Sequence, residues 1–255
     1  MNDSRLYSNR QRCGVLLDYG GTLVEEVGFH ARAGNEWLLA RATFLPPNVT
    51  LAHVLERAER VTKEVADRRD QFQLETPWPA LTRLIHDYFG IRFAEPMEDL
   101  EMAFWQAAVA TAPMPGAREA LAEFNRHGIP MAVLSNTLFR PEVIRYELDK
   151  HGLAEHLAFV MASSEYAVRK PNVLLFETAA RRLGVEAEDI WFIGDRLDTD
   201  VAGAKAAGMR TIWFRPPENA RPNCADQMAM NWADVSRIIH AAAGASCSNR
   251  SPRVR

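Results

Sequence analysis

The chain has 255 residues, of which 47% are hydrophobic and 25% are charged, with a net charge of −3. This length suits one large domain or a core with a smaller insertion, and the composition is that of a soluble globular protein. The slightly acidic balance gives no support to a nucleic-acid partner, and no stretch approaches the roughly 18 apolar residues of a membrane helix. Three cysteines far apart in sequence indicate neither a disulfide framework nor a zinc site. We therefore expect a cytoplasmic protein with no membrane partner, and the sequence does not indicate its oligomeric state.

The first predicted strand leads directly to a carboxylate. Residues 15–17 form an apolar run bounded by glycine, and Asp18 follows it, as in the buried strands of parallel sheets. The ligand crevice of an open α/β sheet lies outside the carboxyl ends of its strands, so Asp18 is a candidate functional residue. Gly20 and Gly21 would let the backbone turn sharply and approach a ligand closely. For this stretch alone, a plain strand that ends in an Asp-capped turn is the alternative.

A helical region interrupts the chain after this strand. Residues 25–33 are interpreted as a connection, and apolar residues at helical spacing then predict helices over 51–65, 81–89 and 97–111. Aromatic residues of this region either line a substrate pocket or, as we expect for most of them, pack its own core. They are Trp37, Phe44, Trp78, Phe93 and Trp105.

Strands and helices alternate from residue 112 onward. Strands are predicted over 129–135, 157–162, 190–193 and 211–214, and helices over 141–151 and 171–183. A small-residue helix closed by Gly208 follows residue 200, and 225–243 is an amphipathic segment. Residues 1–12 and 244–255 are expected to be disordered tails.

Polar residues stand where several of these elements end or begin. They are Ser135 and Asn136, then Lys170 just before Pro171, and the carboxylates Asp195, Asp198 and Asp200. The proline suits the first turn of a helix. Together with Asp18, these residues supply a carboxylate nucleophile, a hydroxyl donor, an ammonium and a group of carboxylates. Oxygen ligands of this kind are what Mg²⁺ prefers, with phosphate supplying the remainder.

Four short stretches carry these residues: the one at Asp18, then Ser135-Asn136, Lys170-Pro171 and the run from Asp195 to Asp200. In this order they resemble the motifs of the haloacid dehalogenase superfamily, most of whose members are phosphatases. The pair Lys170-Pro171 and the run Gly194-Asp195-x-x-x-x-Asp200 are specific when they occur together. The resemblance implies an α/β fold, with a Rossmann-like parallel-sheet core over 13–25 and 112–243 and an inserted all-helical cap domain over 26–111. It also implies a small phosphorylated molecule as substrate and Mg²⁺ as cofactor.

The resemblance further implies a role for each site residue. The catalytic residues are Asp18 as nucleophile, Thr22, Ser135 and Lys170. Phosphate is held by Gly21, Thr22, Ser135, Asn136 and Lys170. The metal ligands are Asp18, the carbonyl of Gly20, Asp195 and Asp200. Asp198 either substitutes for one of these carboxylates or faces solvent.

One departure from the family pattern concerns position 20. The family's phosphatases carry a second aspartate two residues after the nucleophile, where this chain has Gly20. That aspartate is the general acid and base, a role worth roughly 10²–10⁴-fold, so we predict slow or specialised catalysis. Two alternatives stay open: a silent phosphate- and metal-binding protein, and a phosphonatase that would use Lys63 as a Schiff base. The retained carboxylates argue against the dehalogenase branch, which works without metal.

Overall fold

The fold is built on a parallel sheet. The computed structural model describes residues 13–220 and 224–248, apart from the side chains of residues 70 and 243–248. The strands in these residues are β1 (Gly14–Leu17), β2 (Val24–Phe29), β3 (Val109–Pro113), β4 (Met131–Ser135), β5 (Leu157–Ala162), β6 (Ile190–Gly194), β7 (Arg210–Phe214) and β8 (Gln227–Ala229). Six of them form one sheet in the order β5-β4-β1-β6-β7-β8, and every neighbouring pair runs parallel. The predicted α/β class with a Rossmann-like parallel sheet is confirmed.

Helices cover both faces of this sheet. The helices of the described residues are α1 (Ala31–Ala40), α2 (Leu51–Phe72), α3 (Trp78–Phe89), α4 (Met97–Ala108), α5 (Ala117–Arg126), α6 (Pro141–Lys150), α7 (Val173–Leu183), α8 (Ala202–Ala206) and α9 (Trp232–Ser248). Apolar side chains of α5, α6 and α9 pack with Val15 and Leu17 in one cluster, and those of α7 and α8 pack with Leu16 in another. Successive side chains of a strand point to opposite faces. Both faces of β1 are therefore covered, which is why its sequence is apolar throughout.

The strand order brings the predicted polar residues to one edge of the sheet. β1 lies between β4 and β6 and runs parallel to both. The carboxyl ends of parallel neighbours meet at the same edge. Asp18 follows β1, Ser135 ends β4 and Asp195 follows β6. These three residues therefore lie together, although Asp18 precedes Ser135 by more than a hundred positions in the sequence.

A two-stranded antiparallel ribbon carries the chain out of the sheet layer and back. β2 pairs with β3, from Val24 opposite Pro113 to Phe29 opposite Val109, and helices α1–α4 lie between the two strands in the sequence. The prediction that residues 26–111 are helical throughout is therefore wrong at both ends. The alanine-rich sequence around residue 109 favours a helix, but pairing with β2 makes it extended. The division into a core and a cap domain stays a prediction.

The C-terminal end of α2 contacts the loops at the functional edge of the sheet. The backbone N–H of Arg169 donates to the carbonyl of Gln73 at 2.9 Å. The carboxylate of Glu75, which is 5% exposed, accepts a hydrogen bond from Ser163 Oγ at 2.8 Å. These bonds fix the end of α2 beside the segment that carries Lys170.

Several other predicted boundaries differ from the structure. Asn172 is the N-cap of α7, so Pro171 precedes the helix and does not lie in its first turn. The segment 225–243 contains β8 before α9 begins. The expected tail from residue 244 is wrong up to Ser248, because the alanine-rich end of α9 continues as helix. The other expected tail residues, 1–12 and 249–255, lie outside the described part of the chain.

None of the described helices is long and apolar enough to span a lipid bilayer.

Candidate active site

Lys170 is central to the buried polar group at this edge of the sheet. Its Nζ donates a hydrogen bond to Asp18 Oδ1 at 2.6 Å and lies 2.7 Å from Asp200 Oδ1. The lysine side chain is 2% exposed. Burial lowers the pKa of Lys170, but the two carboxylates outweigh this effect and hold its pKa above the ordinary value. The ammonium therefore stays charged at neutral pH.

Three carboxylates converge beside this ammonium. One oxygen each of Asp18, Asp195 and Asp200 lies within 4.8 Å of the other two. Asp195 Oδ1 is buried and has no hydrogen-bond partner among the described residues. One ammonium does not balance three carboxylates, and uncompensated buried charge is costly. The group therefore fits a hard divalent cation, for which carboxylate oxygens are suitable ligands.

Local hydrogen bonds hold two of these carboxylates in place. Trp213 Nε1 donates to the backbone carbonyl of Asp195 at 2.9 Å, and the backbone N–H of Arg196 donates to Asp200 Oδ2 at 3.1 Å. Asp200 lies in a π-helical turn just before α8, a conformation that is frequent at functional sites. The same turn leaves Asp198 exposed and paired with Arg196 at 3.0 Å. Asp198 therefore faces solvent, the second of the two possibilities that the sequence left open.

The glycines of the site differ in how closely they approach the carboxylates. A Cβ on Gly21 would lie 2.4 Å from Asp195 Oδ2, and one on Gly194 would lie 2.4 Å from Asp200 Oδ2. Gly21 also has a φ of +75°, which L side chains rarely adopt. A Cβ on Gly20, by contrast, would meet nothing within 4 Å. Glycine is thus required at 21 and 194 but not at position 20.

Asn136 holds the backbone of Lys170 from both sides. Its Nδ2 donates to the Lys170 carbonyl at 2.9 Å, and its Oδ1 accepts from the Lys170 N–H at 2.8 Å. This reciprocal pair ties the lysine segment to the end of β4. The amide that was predicted to bind phosphate therefore positions the ammonium at Asp18.

A cavity of about 300 Å³ adjoins these groups. Its lining includes the predicted residues Asp18, Gly20, Ser135, Asn136, Lys170, Asp195 and Asp200. The ribbon and α4 contribute Glu26, Thr111 and Trp105 to the same lining. A volume of this size, at the low end of ligand pockets, suits a small molecule.

Comparison with known proteins agrees with this arrangement. A family model for haloacid dehalogenase-like hydrolases matches residues 14–208. The chain belongs to this hydrolase family. The resemblance that the motifs indicated is confirmed.

Relatives of this hydrolase include two proteins that are named as phosphatases. Phosphoserine phosphatase from Thermus thermophilus is 35% identical over 119 residues, which are 47% of this chain and 47% of the relative. Glyceraldehyde 3-phosphate phosphatase from Pyrococcus furiosus is 31% identical over 160 residues, 55% of this chain and 65% of the relative. The chain thus spans about half to two-thirds of the length of these relatives.

A solved structure shows the same fold. The crystal structure of 2-haloacid dehalogenase from Pseudomonas syringae pv. Tomato DC3000 matches 90% of this hydrolase and 98% of its own chain, with a TM-score of 0.65 and 21% identity. At that identity the likeness concerns the fold alone.

Two predicted residues lie outside the cavity lining of this hydrolase. The side chain of Thr22 is fully buried, its Oγ1 has no hydrogen-bond partner among the residues described, and its carbonyl accepts from Trp232 Nε1 at 3.1 Å. Gly21 is not among the lining residues either, and a Cβ there would meet the Asp195 carboxylate. The catalytic and phosphate-binding roles assigned to the site residues stay predictions.

No pattern in the sequence identifies the cavity-lining residues that the ribbon contributes. Glu26 and Thr111 are opposite each other in the β2–β3 pairing, and both line the cavity. Of the five aromatic residues considered, Trp105 lines the cavity, and its Nε1 donates to the buried Glu147 at 2.9 Å. A ribbon joining two distant segments is not visible as a local pattern, so this wall of the cavity was missed.

Burial is the main reason why the pKa of Asp18, the candidate nucleophile, is raised. Burial, reinforced by Asp200 and Asp195, raises the pKa of Asp18 to about 7 against the opposing effect of Lys170. Burial and Asp200 also raise the pKa of Asp195. A carboxyl whose pKa is higher in the folded protein stabilises the fold at low pH and loses this contribution as pH rises through the folded value. Without a bound cation, these carboxyls therefore stabilise the folded protein less near pH 8 than near pH 6.

We expect Mg²⁺ to raise the melting temperature, and to do so more near pH 8 than near pH 6, because protons compete for Asp18 at the lower pH. At about 100 times its Kd, a ligand stabilises by about 2.7 kcal/mol, which corresponds to roughly 5–10 °C for a chain of this size. Thermal unfolding with and without Mg²⁺ measures the shift.

A matched pair of variants locates the cation. Asp195→Asn should lose most of the shift, whereas Asp198→Asn, on an exposed residue of the same loop, should keep it. Equal shifts in the two variants would mean that the ion binds elsewhere.

Proposed function

We propose that this hydrolase is a Mg²⁺-dependent phosphatase that acts on a small phosphorylated metabolite through an aspartyl-phosphate on Asp18. The observation that carries the proposal is the position of Lys170, whose ammonium contacts both Asp18 and Asp200 in the wall of the cavity. A cation and a carboxylate nucleophile beside a group of metal-type ligands suit phosphoryl transfer, which depends mainly on positioning and charge neutralisation. The names of the two relatives, phosphoserine phosphatase and glyceraldehyde 3-phosphate phosphatase, support the same reaction.

The chain's own groups account for two displacements. Asp18 Oδ1 is engaged by Lys170, so Oδ2 attacks the phosphorus while the bond to the substrate's leaving oxygen breaks and that oxygen takes a proton from water. A second water then attacks the phosphorus, the bond to Asp18 breaks, and inorganic phosphate leaves. Lys170 and the Ser135 hydroxyl stabilise the phosphoryl oxygens. Asp18, Asp195, Asp200 and the Gly20 carbonyl would hold Mg²⁺, which would further neutralise the phosphoryl charge.

The missing side chain at position 20 limits which substrates react fast. An alkoxide is a poor leaving group unless it is protonated as it departs, and a positioned acid contributes roughly 10²–10⁴-fold. Among the described residues that line the cavity, Glu26 is the one carboxylate outside the metal group. Substrates with good leaving groups, such as acyl phosphates, therefore suffer least from Gly20.

The two alternatives differ in what the structure offers them. A phosphonatase would need an amine in the cavity, but Lys63 is exposed on α2 and lies outside the described lining. A silent binding protein would keep the same cation and phosphate contacts without turnover, and Gly20 is the feature that favours it.

Trapping with beryllium fluoride tests the proposal. With Mg²⁺ present, we expect one beryllium fluoride per chain attached to Asp18, because only an ionised nucleophile forms this mimic of the aspartyl-phosphate. A panel of phosphate esters, acyl phosphates and phosphonates, assayed with Mg²⁺ and with EDTA, then identifies the substrate class. If beryllium fluoride forms no adduct and no phosphate compound is turned over, the silent binding protein is the alternative that remains. Phosphonate cleavage that is lost in Lys63→Ala would establish the phosphonatase.

A further inference from the structure

Glu26 lies on the face of the ribbon that borders the candidate active site. The loop after Asp18 folds back onto the start of β2, where Gly20 forms a backbone bridge with Val24 and the N–H of Gly21 donates to the Val24 carbonyl at 2.8 Å. Residues two apart on a strand share a face and are about 7 Å apart, so Glu26 follows Val24 on the same side. Both line the cavity of about 300 Å³. The Glu26 side chain therefore borders the space beside Gly20.

The space beside Gly20 is open to such a side chain. A Cβ at position 20 would meet nothing within 4 Å, so no other group of the described residues fills the place where the family's phosphatases carry their second aspartate. Burial raises the pKa of the Tyr19 phenol, and among the carboxylates Glu26 and Asp18 both add to this rise. The two carboxylates therefore act on one and the same side chain of the cavity wall.

The hydrogen-bond donors nearest to Glu26 on the ribbon are engaged by a different carboxylate. Thr111 is directly opposite Glu26 in the β2–β3 pairing, but its hydroxyl donates to Glu147 Oε1 and accepts from His151 Nε2 at 2.7 Å. Lys150 Nζ donates to the same Glu147 oxygen at 2.8 Å. Among the described residues, no cation or hydrogen-bond donor pairs with the Glu26 carboxylate. Its oxygens are therefore free to accept a proton.

The other groups of the cavity lining are unsuited to activating a water molecule. Of the remaining carboxylates, one is the candidate nucleophile and two belong to the metal group. The lysine and the two arginines are cations, and the hydroxyl groups of serine, threonine and tyrosine keep their protons at neutral pH. The described lining contains no histidine. Glu26 is thus the one described lining residue with the chemistry of a general base.

We propose that Glu26 is the general base of the second displacement. A water oxygen bonds to the phosphorus of the aspartyl-phosphate, the bond to Asp18 breaks with its electron pair returning to that carboxylate, and the proton of the water passes to Glu26. The neutral carboxyl then releases this proton to solvent, because Glu26 is exposed. The proposal rests on the proposed function. It assigns water activation to Glu26 and leaves only protonation of the leaving oxygen without a side chain.

Loss of this base should make the aspartyl-phosphate accumulate. We mix the full chain rapidly with Mg²⁺ and p-nitrophenyl phosphate. Glu26→Gln should release about one nitrophenolate per chain in a fast phase, as a covalent intermediate that forms faster than it breaks down does. Steady turnover should then be roughly 10²-fold slower than in the unmodified protein, at the low end for a general base. With radiolabelled acetyl phosphate and an acid quench, most chains of this variant should carry label.

Glu25→Gln is the matched control, since it makes the same change one residue earlier on the opposite face of β2. Glu25 is exposed, lies 3.9 Å from Arg215 Nη1 and is outside the described cavity lining. This variant should keep turnover within about 2-fold and accumulate no more label than the unmodified protein.

Three results would overturn the proposal: equal accumulation of label in the two variants, unchanged turnover in Glu26→Gln, or a fast phase in Glu26→Gln that slows as much as steady turnover does. The last of these would indicate a structural role or a role in the first displacement. Failure of the proposed function is distinguishable, because the unmodified protein would then give neither a beryllium fluoride adduct nor nitrophenolate.

Discussion

We expect Asp18→Asn to abolish phosphatase activity. The value of kcat should fall by about 10⁴-fold or more, as it does when a catalytic nucleophile is removed. The substitution is nearly isosteric, but an amide oxygen cannot form the aspartyl-phosphate. The fold should not suffer, because the remaining oxygen still accepts from Lys170 Nζ, which lies 2.6 Å from Asp18 Oδ1. Burial raises the pKa of Asp18 to about 7, so loss of this charge should leave the metal-free melting temperature near pH 8 unchanged or higher. Steady-state kinetics and thermal unfolding measure the two effects.

The control for this variant is Asp198→Asn, which removes an exposed carboxylate from the neighbouring loop. It should keep turnover within about 2-fold, because exposed ion pairs contribute little. Beryllium fluoride should no longer attach to Asp18→Asn but should still attach to the control. Turnover of Asp18→Asn at the unmodified rate would place the chemistry at a different residue.

The sequence predicts the central part of the fold well because burial there is two-sided. Residues 15–17 are apolar without alternation, and this pattern is what a strand covered on both faces requires. The ribbon was missed for the opposite reason. β2 is exposed over most of its length, and β3 lies in an alanine-rich stretch, so neither carries a strand pattern. Their structure comes from pairing between segments 80 or more residues apart, which local periodicity does not contain.

The candidate site likewise contains some residues that the sequence identifies and others that it does not. Asp18, Lys170, Asp195 and Asp200 could be grouped from the sequence alone, because together, and in this order, they match the motifs of the haloacid dehalogenase superfamily. The actual partner of Asn136 could not be foreseen, since its two hydrogen bonds reach the backbone of Lys170, 34 residues away.

Gly20→Asp is expected to increase activity on alkyl phosphates by about 10–100-fold, below the full range for acid–base catalysis because the pocket was not shaped for this carboxylate. A Cβ at position 20 meets nothing within 4 Å, and the φ of Gly20 is outside the left-handed region, so an aspartate fits without backbone strain. Activity on p-nitrophenyl phosphate should change little, because its leaving group hardly needs a proton. The ratio of kcat/KM for the two substrates, measured in both proteins, isolates proton transfer from binding.

Gly21→Asp is the matched control, since it adds the same side chain one residue later. Its Cβ would lie 2.4 Å from Asp195 Oδ2 at a φ of +75°, so this variant should lose the Mg²⁺-dependent rise in melting temperature and gain no activity. A gain in Gly20→Asp alone would therefore show that the position of the added carboxylate decides its effect. If Gly20→Asp folds, binds Mg²⁺ and gains nothing on any alkyl phosphate, the site is not a phosphatase that lacks only its proton donor. Position 20 would then have no part in the chemistry, and the binding-protein alternative would gain support.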